Sequence, residues 1–210
     1  MEELDLLKKD WKRKENSFSQ LSENEIYTML HRKSSSIVKW ILIISILEVM
    51  LWTAIGFIYS TDEYLIALKH DELLTYLRIL NWVNYAVVLI FIYLFYKNYV
   101  NISTTSSTRQ LMKDILRTRK TVKYYVWYNL LMIVLSLISS FVVLVSYNPQ
   151  FSALKEKMNH DGTVMLKGVL FITLIVLVIL VIGWLFYRLL YGILLRKLLA
   201  NYKELKKIDL

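Results

Sequence analysis

No cysteine occurs anywhere in this chain. Disulfides, thiolate metal sites and cysteine nucleophiles are therefore all excluded. Glycine is scarce, at five residues in 210, and no Walker-type glycine loop, zinc-protease helix or nucleophile elbow can be traced. The single proline, Pro149, lies outside every long apolar run. The spans thus lack the paired glycine or proline interruptions that mark many transporters. The three histidines, His31, His70 and His160, also fall outside those runs.

Apolar sequence is abundant instead. Hydrophobic residues make up 56% of the chain, above the roughly 45–50% of soluble domains, and the excess is gathered in four blocks. A bilayer core of ~30 Å needs about 20 helical residues at 1.5 Å rise each. Residues 37–59, 77–96, 124–147 and 166–187 meet that length. Their apolar character is continuous rather than alternating, which argues against β-strands. Backbone polar groups in lipid must be satisfied within the segment, so the runs are helices. The expected fold class is all-α, a polytopic membrane protein with four transmembrane helices. Short cytoplasmic amphipathic helices precede span one, and spans three and four extend as helices beyond the bilayer. Two regions follow, a cytoplasmic helical segment 1–36 and a four-helix transmembrane domain 37–210 with a helical tail. The run from Ile37 is too long for the apolar part of a signal peptide. It is expected to be an uncleaved anchor, with the mature protein beginning at Met1.

Charge assigns the sides. Twenty-six basic residues against 17 acidic ones give a formal +9, which in a soluble protein would suggest nucleic acid. Position decides otherwise. Eight Lys or Arg lie in the N-terminal segment through Lys39, seven between spans two and three, and six in the tail, against five on the opposite side. The positive-inside rule then places both termini and the central loop in the cytoplasm, and no nucleic-acid partner is expected. Trp40, Trp127, Trp184, Tyr96, Tyr124 and Tyr187 fall near the expected inner interface, and Tyr59, Trp82 and Tyr147 near the outer one, where amphipathic rings are enriched.

Outside the spans, Leu4, Leu7, Trp11, Phe18 and Leu21 form an apolar stripe on a charged segment. One reading lays this stripe on the inner leaflet, helped by anionic lipid at about 1 kcal/mol per nearby Lys or Arg. The other makes it a docking helix for a cytoplasmic or membrane protein partner. Ser22 and Glu25 have capping-box spacing, so a second helix is expected to start there and to end or bend at Ser34-Ser35-Ser36. The polar cluster 103–108 is a break and N-cap region. Residues 109–123 then lead into span three as one helix, and Leu190, Leu194, Leu198, Tyr202 and Leu205 continue a stripe past span four. These two extensions could pack together as a basic stalk.

Glu48, central in the first run, is the most informative residue. A charged side chain at that depth costs on the order of 2.5–3.5 kcal/mol on insertion scales, so it should face the bundle interior. Ser136, Ser139 and Ser140 on span three and Asn84 on span two are its expected partners, with Asn81 and Asn129 nearer the interfaces. Such groups serve either as interhelical glue, at about 0.6–2 kcal/mol per bond, or as a proton or cation relay. His70-Asp71 and His160-Asp161 share one side, but two separated pairs are a weak metal pattern. No metal or other cofactor is expected.

Leu7-Lys8-Lys9-Asp10-Trp11, Glu25-Ile26-Tyr27 and 33–40 (Lys-Ser-Ser-Ser-Ile-Val-Lys-Trp), continuing through Glu48 and Trp52, resemble a family of small four-span membrane proteins of flavobacteria and related Bacteroidetes. The resemblance implies a bacterial inner membrane and no established activity. Some members carry the label β-carotene monooxygenase. Soluble carotenoid oxygenases hold iron with four histidines on a propeller, and membrane-bound ones place histidines inside their spans. This chain has three histidines, all outside its spans. The expectation is a non-enzymatic inner-membrane protein that binds or regulates a partner. A small transporter or channel subunit using Glu48 is the alternative, and a membrane enzyme of lipid or carotenoid metabolism is the disfavoured third.

Overall fold

Over their described residues, the four apolar runs each lie within a long helix. The computed structural model describes residues 22–58, 71–147, 151, 156 and 160–208. Helix α1 spans Glu23–Ile58, α2 Asp71–Thr104, α3 Thr108–Tyr147 and α4 Gly162–Tyr187. A π-helical turn, Arg188–Gly192, carries α4 directly into α5, Ile193–Ile208. Among the described residues there is no strand. Four helices are long and apolar enough to cross a membrane. With 36 residues in α1 and 40 in α3, these two run about 54 and 60 Å at 1.5 Å per residue. Each is far longer than the ~30 Å of a hydrocarbon core.

Local chemistry sets the helix starts. The Ser22 N–H donates to Glu25 Oε2 at 2.8 Å and the Glu25 N–H to Ser22 Oγ at 3.3 Å, so the capping box opens α1. At α4, Asp161 accepts from the Thr163 N–H at 2.8 Å and from its hydroxyl at 2.7 Å. Asp161 thus serves as an N-cap. The polar cluster at 103–108 separates α2 from α3, and the Tyr27 hydroxyl donates to the Thr105 carbonyl at 3.1 Å, tying α1 to that corner. The expected end or bend at Ser34-Ser35-Ser36 does not occur. Ser34 is buried on the packing face, and its hydroxyl accepts from Asn201 Nδ2 at 3.0 Å. Tertiary contact overrides the weak helix preference of serine.

The buried face of α1 comprises Leu30, Ser34, Val38, Ile41, Ser45 and Glu48. Its steps of three and four residues keep these side chains on one stripe of the helix. Leu30, Val38, Ile102, Leu111, Ile115, Leu198 and Leu205 form one core cluster, and Ile41, Val88, Phe95, Val122, Tyr125, Leu130, Tyr187 and Tyr191 the next. Leu30 near the start of α1 and Leu205 near the end of α5 therefore meet beside the α2–α3 corner. This is the basic end of the bundle. The two basic extensions, of α3 and α5, do pack against each other there. Towards the opposite end, none of the described side chains in 49–58, 75–87, 131–147 and 160–186 is buried.

Candidate functional site

Glu48 ends the buried seam of α1 and is only 5% exposed. Its Oε2 accepts from the hydroxyls of Tyr125 on α3 and Tyr191 in the π turn, each at 3.0 Å. Its Oε1 accepts from Tyr187, the last residue of α4, at 2.5 Å. Residues four apart share a helix face, which is why Tyr187 and Tyr191 converge on one carboxylate. Their rings stack at 6.1 Å, and Tyr191 meets Tyr125 edge to face at 5.8 Å. Phe91 and Phe95 of α2 each set an edge against Tyr125 at 5.4 Å. All four helices thus enclose a single acidic group with three donors.

This arrangement satisfies the group chemically. A carboxylate offers about four lone-pair positions, and three O–H donors occupy most of them. Hydrogen bonds to charged groups contribute about 1.5–3 kcal/mol each, so three of them together exceed the roughly 2.5–3.5 kcal/mol cost of a charged side chain at the centre of a span. Beside the knot, a cleft of ≈ 190 Å³ between α3 and α4 reaches Tyr187 and Tyr191 and is rimmed by Lys123, Trp127, Trp184 and Arg188. The Arg188 guanidinium lies over the Trp184 ring at 4.8 Å.

The expected partners of Glu48 are corrected by this geometry. Ser136 and Ser140 are exposed and Ser139 is half-buried, and the bonds to Glu48 come from tyrosines. Asn84 is engaged elsewhere, accepting from the Tyr128 hydroxyl at 3.0 Å. Asn129 donates to the Tyr125 carbonyl at 2.9 Å. Side chains lean towards the N-terminus of their helix. Glu48 therefore reaches back towards the basic end, while Tyr187 at the end of the oppositely directed α4 and Tyr191 in the π turn that continues it reach away from it.

A second set of polar contacts occupies the basic end. Buried Asp114 accepts from Gln110 Nε2 at 3.2 Å and from the Thr105 hydroxyl at 3.4 Å. Buried Asn98 donates to Thr121 Oγ1 at 3.3 Å. Sequence reasoning missed these groups because polar residues interrupt an apolar stripe. Leu4, Leu7, Trp11, Phe18 and Leu21 lie outside the described residues, as does His70. Among the described residues no three His, Cys, Asp or Glu side chains gather as a metal site.

The match to known families covers residues 24–210, from the first turn of α1 to the end of the chain. The chain belongs to the family described as domain of unknown function DUF8845. No curated protein and no solved structure matches it. The DUF8845 match takes in all four long helices, the Glu48 knot and the basic-end core, and leaves out only residues 1–23.

Proposed function

We propose that this chain is a non-enzymatic protein of a bacterial inner membrane that holds or regulates a protein partner at its cytoplasmic face, through its N-terminal helices and basic surface. The observation that carries this reading is the bias of buried packing towards the basic end, with none of the described side chains buried at the opposite end. There α1, α2, α3 and α5 share a core of Leu30, Ile102, Leu111, Ile115, Leu198 and Leu205, reinforced by the Ser34–Asn201 and Asn98–Thr121 bonds. A preorganised helical platform lowers the ordering cost of association. Its excess of Lys and Arg suits a partner with an acidic surface. Co-purification of the intact protein in mild detergent, compared with a variant lacking residues 1–33, tests it. Partner sets that differ support the proposal, and identical sets refute it. Reporter fusions at Met1 and Leu210 should both report from the cytoplasm, and signals from opposite sides would overturn the topology.

A transporter or channel subunit is the second reading, favoured by the cleft that reaches Tyr187 and Tyr191 beside buried Glu48. It requires a flux in proteoliposomes that Glu48→Gln and Glu48→Leu abolish. A wild-type protein without flux, or a flux indifferent to both changes, removes it.

A further inference from the structure

On the other side of α1 lies a larger cleft, ≈ 400 Å³, lined by His31, Arg32, Ser35, Ser36, Lys39 and Tyr99. Its lining is chemically one-sided. Two permanent cations, an imidazole, two aliphatic hydroxyls and a phenol face the space, with no carboxylate among them. Helical spacing explains the gathering, since residues three and four apart lie along one strip. His31, Ser35 and Lys39 form such a row beside the buried seam, and Tyr99 of α2 supplies the facing wall. The cations and hydroxyls are not consumed by the fold. Among the described residues, none of the six makes a side-chain hydrogen bond or ion pair. His31 Nε2 is buried without a hydrogen-bond partner.

The level of the cleft narrows the ligand. It straddles the first residues of the first apolar run at Ile37, and the half-exposed rings of Trp40 and Tyr96 lie close by in sequence, at 55% each. Amphipathic rings at such a boundary mark the headgroup layer of a bilayer. Basic pockets between transmembrane helices at that depth suit lipid phosphates, and hydroxyl donors beside Arg and Lys complement phosphate oxygens.

We propose that the α1–α2 cleft binds a phosphate oxyanion, held by Arg32 and Lys39 with Ser35, Ser36 and Tyr99 as hydroxyl donors, and carried by the headgroup of an anionic phospholipid. This inference does not depend on the partner-docking reading. Two arms test it. In the first, protein in nanodiscs of phosphatidylglycerol and phosphatidylcholine is transferred to detergent, and retained lipid is weighed by native mass spectrometry. In the second, lipid-free protein in non-ionic detergent is titrated with inorganic phosphate and followed by phosphorus NMR.

Arg32 and Lys39 are exposed, so Arg32→Gln/Lys39→Gln folds as the parent does. It should weaken phosphatidylglycerol retention about thirtyfold, at about fivefold for each charge removed. The control Lys33→Gln/Lys203→Gln removes the same charge from exposed positions outside the cleft and should stay within about twofold of the parent. Selective retention of phosphatidylglycerol supports the lipid source. Phosphate binding alone, lost in the same variant, supports the site with a free anion as its ligand. Absence of both, or equal losses in the two double variants, overturns the proposal.

Discussion

Replacing Glu48 with leucine tests whether the tyrosine knot holds the helices together. Leucine fills most of the volume but accepts nothing, so the hydroxyls of Tyr125, Tyr187 and Tyr191 lose their common acceptor. Each buried unsatisfied donor costs about 1–3 kcal/mol. Hydroxyls that converge on one carboxylate are expected to recover part of that from one another, and the net loss expected for Glu48→Leu is about 3 kcal/mol. Single Tyr→Phe changes should cost about 1–2 kcal/mol each, because the carboxylate keeps two donors. The decisive variant combines Glu48→Leu with phenylalanine at all three tyrosines. It leaves no polar group stranded, and an apolar replacement of a whole buried polar cluster is often neutral or better. Thermal unfolding in detergent, followed by loss of the monodisperse peak, is the assay. At about 2–4 °C per kcal/mol for a chain of this size, Glu48→Leu should lower the midpoint by about 6–12 °C, and the quadruple variant should return within about 4 °C of the parent. An unchanged midpoint for Glu48→Leu, or a quadruple variant no better than it, would refute the reasoning.

Three further outcomes follow from the same geometry. Asn201→Ala and Ser34→Ala each remove one side of a buried bond; each should cost about 1–2 kcal/mol, with a coupling near 1 kcal/mol in a double-mutant cycle read by the same unfolding assay. At Gly183 an added Cβ would stand 3.4 Å from Leu130 Cδ2 and 3.5 Å from Ile133 Cδ1, so Gly183→Ala should be tolerated, whereas Gly183→Leu should lower stability by about 1–3 kcal/mol through overpacking between α3 and α4. The N–H and hydroxyl of Ser22 hold the exposed Glu25 carboxyl below its ordinary 4.5; a depressed folded value stabilises the α1 start above that pH and is lost as pH falls through it. With the intrinsic exchange rate divided out, amide protection at Glu25 and Ile26 should therefore fall as the parent is acidified through the lowered Glu25 value, and Ser22→Ala should be poorly protected at both ends of the range.

Much of this architecture is legible in the sequence, and the reasons differ by element. The apolar runs stand out by their length and continuity, and over the described residues each lies within one long helix. The capping box at Ser22 and Glu25 and the break at 103–108 are local chemistry, readable without a fold. Glu48 also stands out, since a lone carboxylate in an apolar run needs partners whether it serves as interhelical glue or as a relay. Its partners did not. Tyr187 reads as an interfacial anchor, Tyr125 and Tyr191 carry no signal of their own, and linear depth pairs Glu48 with the serines of span three and Asn84. The actual pairing depends on helix direction and on the reach of a phenol, neither of which spacing records. The seam of α1 was hidden for a related reason. Ser34, Ser45 and Glu48 occupy half of its six buried positions, so a search for apolar periodicity passes over them.

The distribution of packing is the one that two solvents, water at the basic end and lipid around the apolar runs, would produce. Leu30, Ile102, Leu111, Ile115, Leu198 and Leu205 all lie outside the four apolar runs, yet they are among the most buried residues. Water drives them together, as it drives any soluble core. Leu170, Phe171, Leu174 and Val178 lie within the last run and remain exposed. Lipid tails are as apolar as leucine, so nothing comparable forces those side chains inward. Where apolar packing ends a polar contact can still join helices, and Glu48 with its three tyrosines is the last buried level of the α1 seam. The knot and the basic-end core are therefore complementary parts of one bundle. Weakening the knot should loosen the helices beyond Glu48 first, while the water-driven core around Ile115 and Leu198 stays closed.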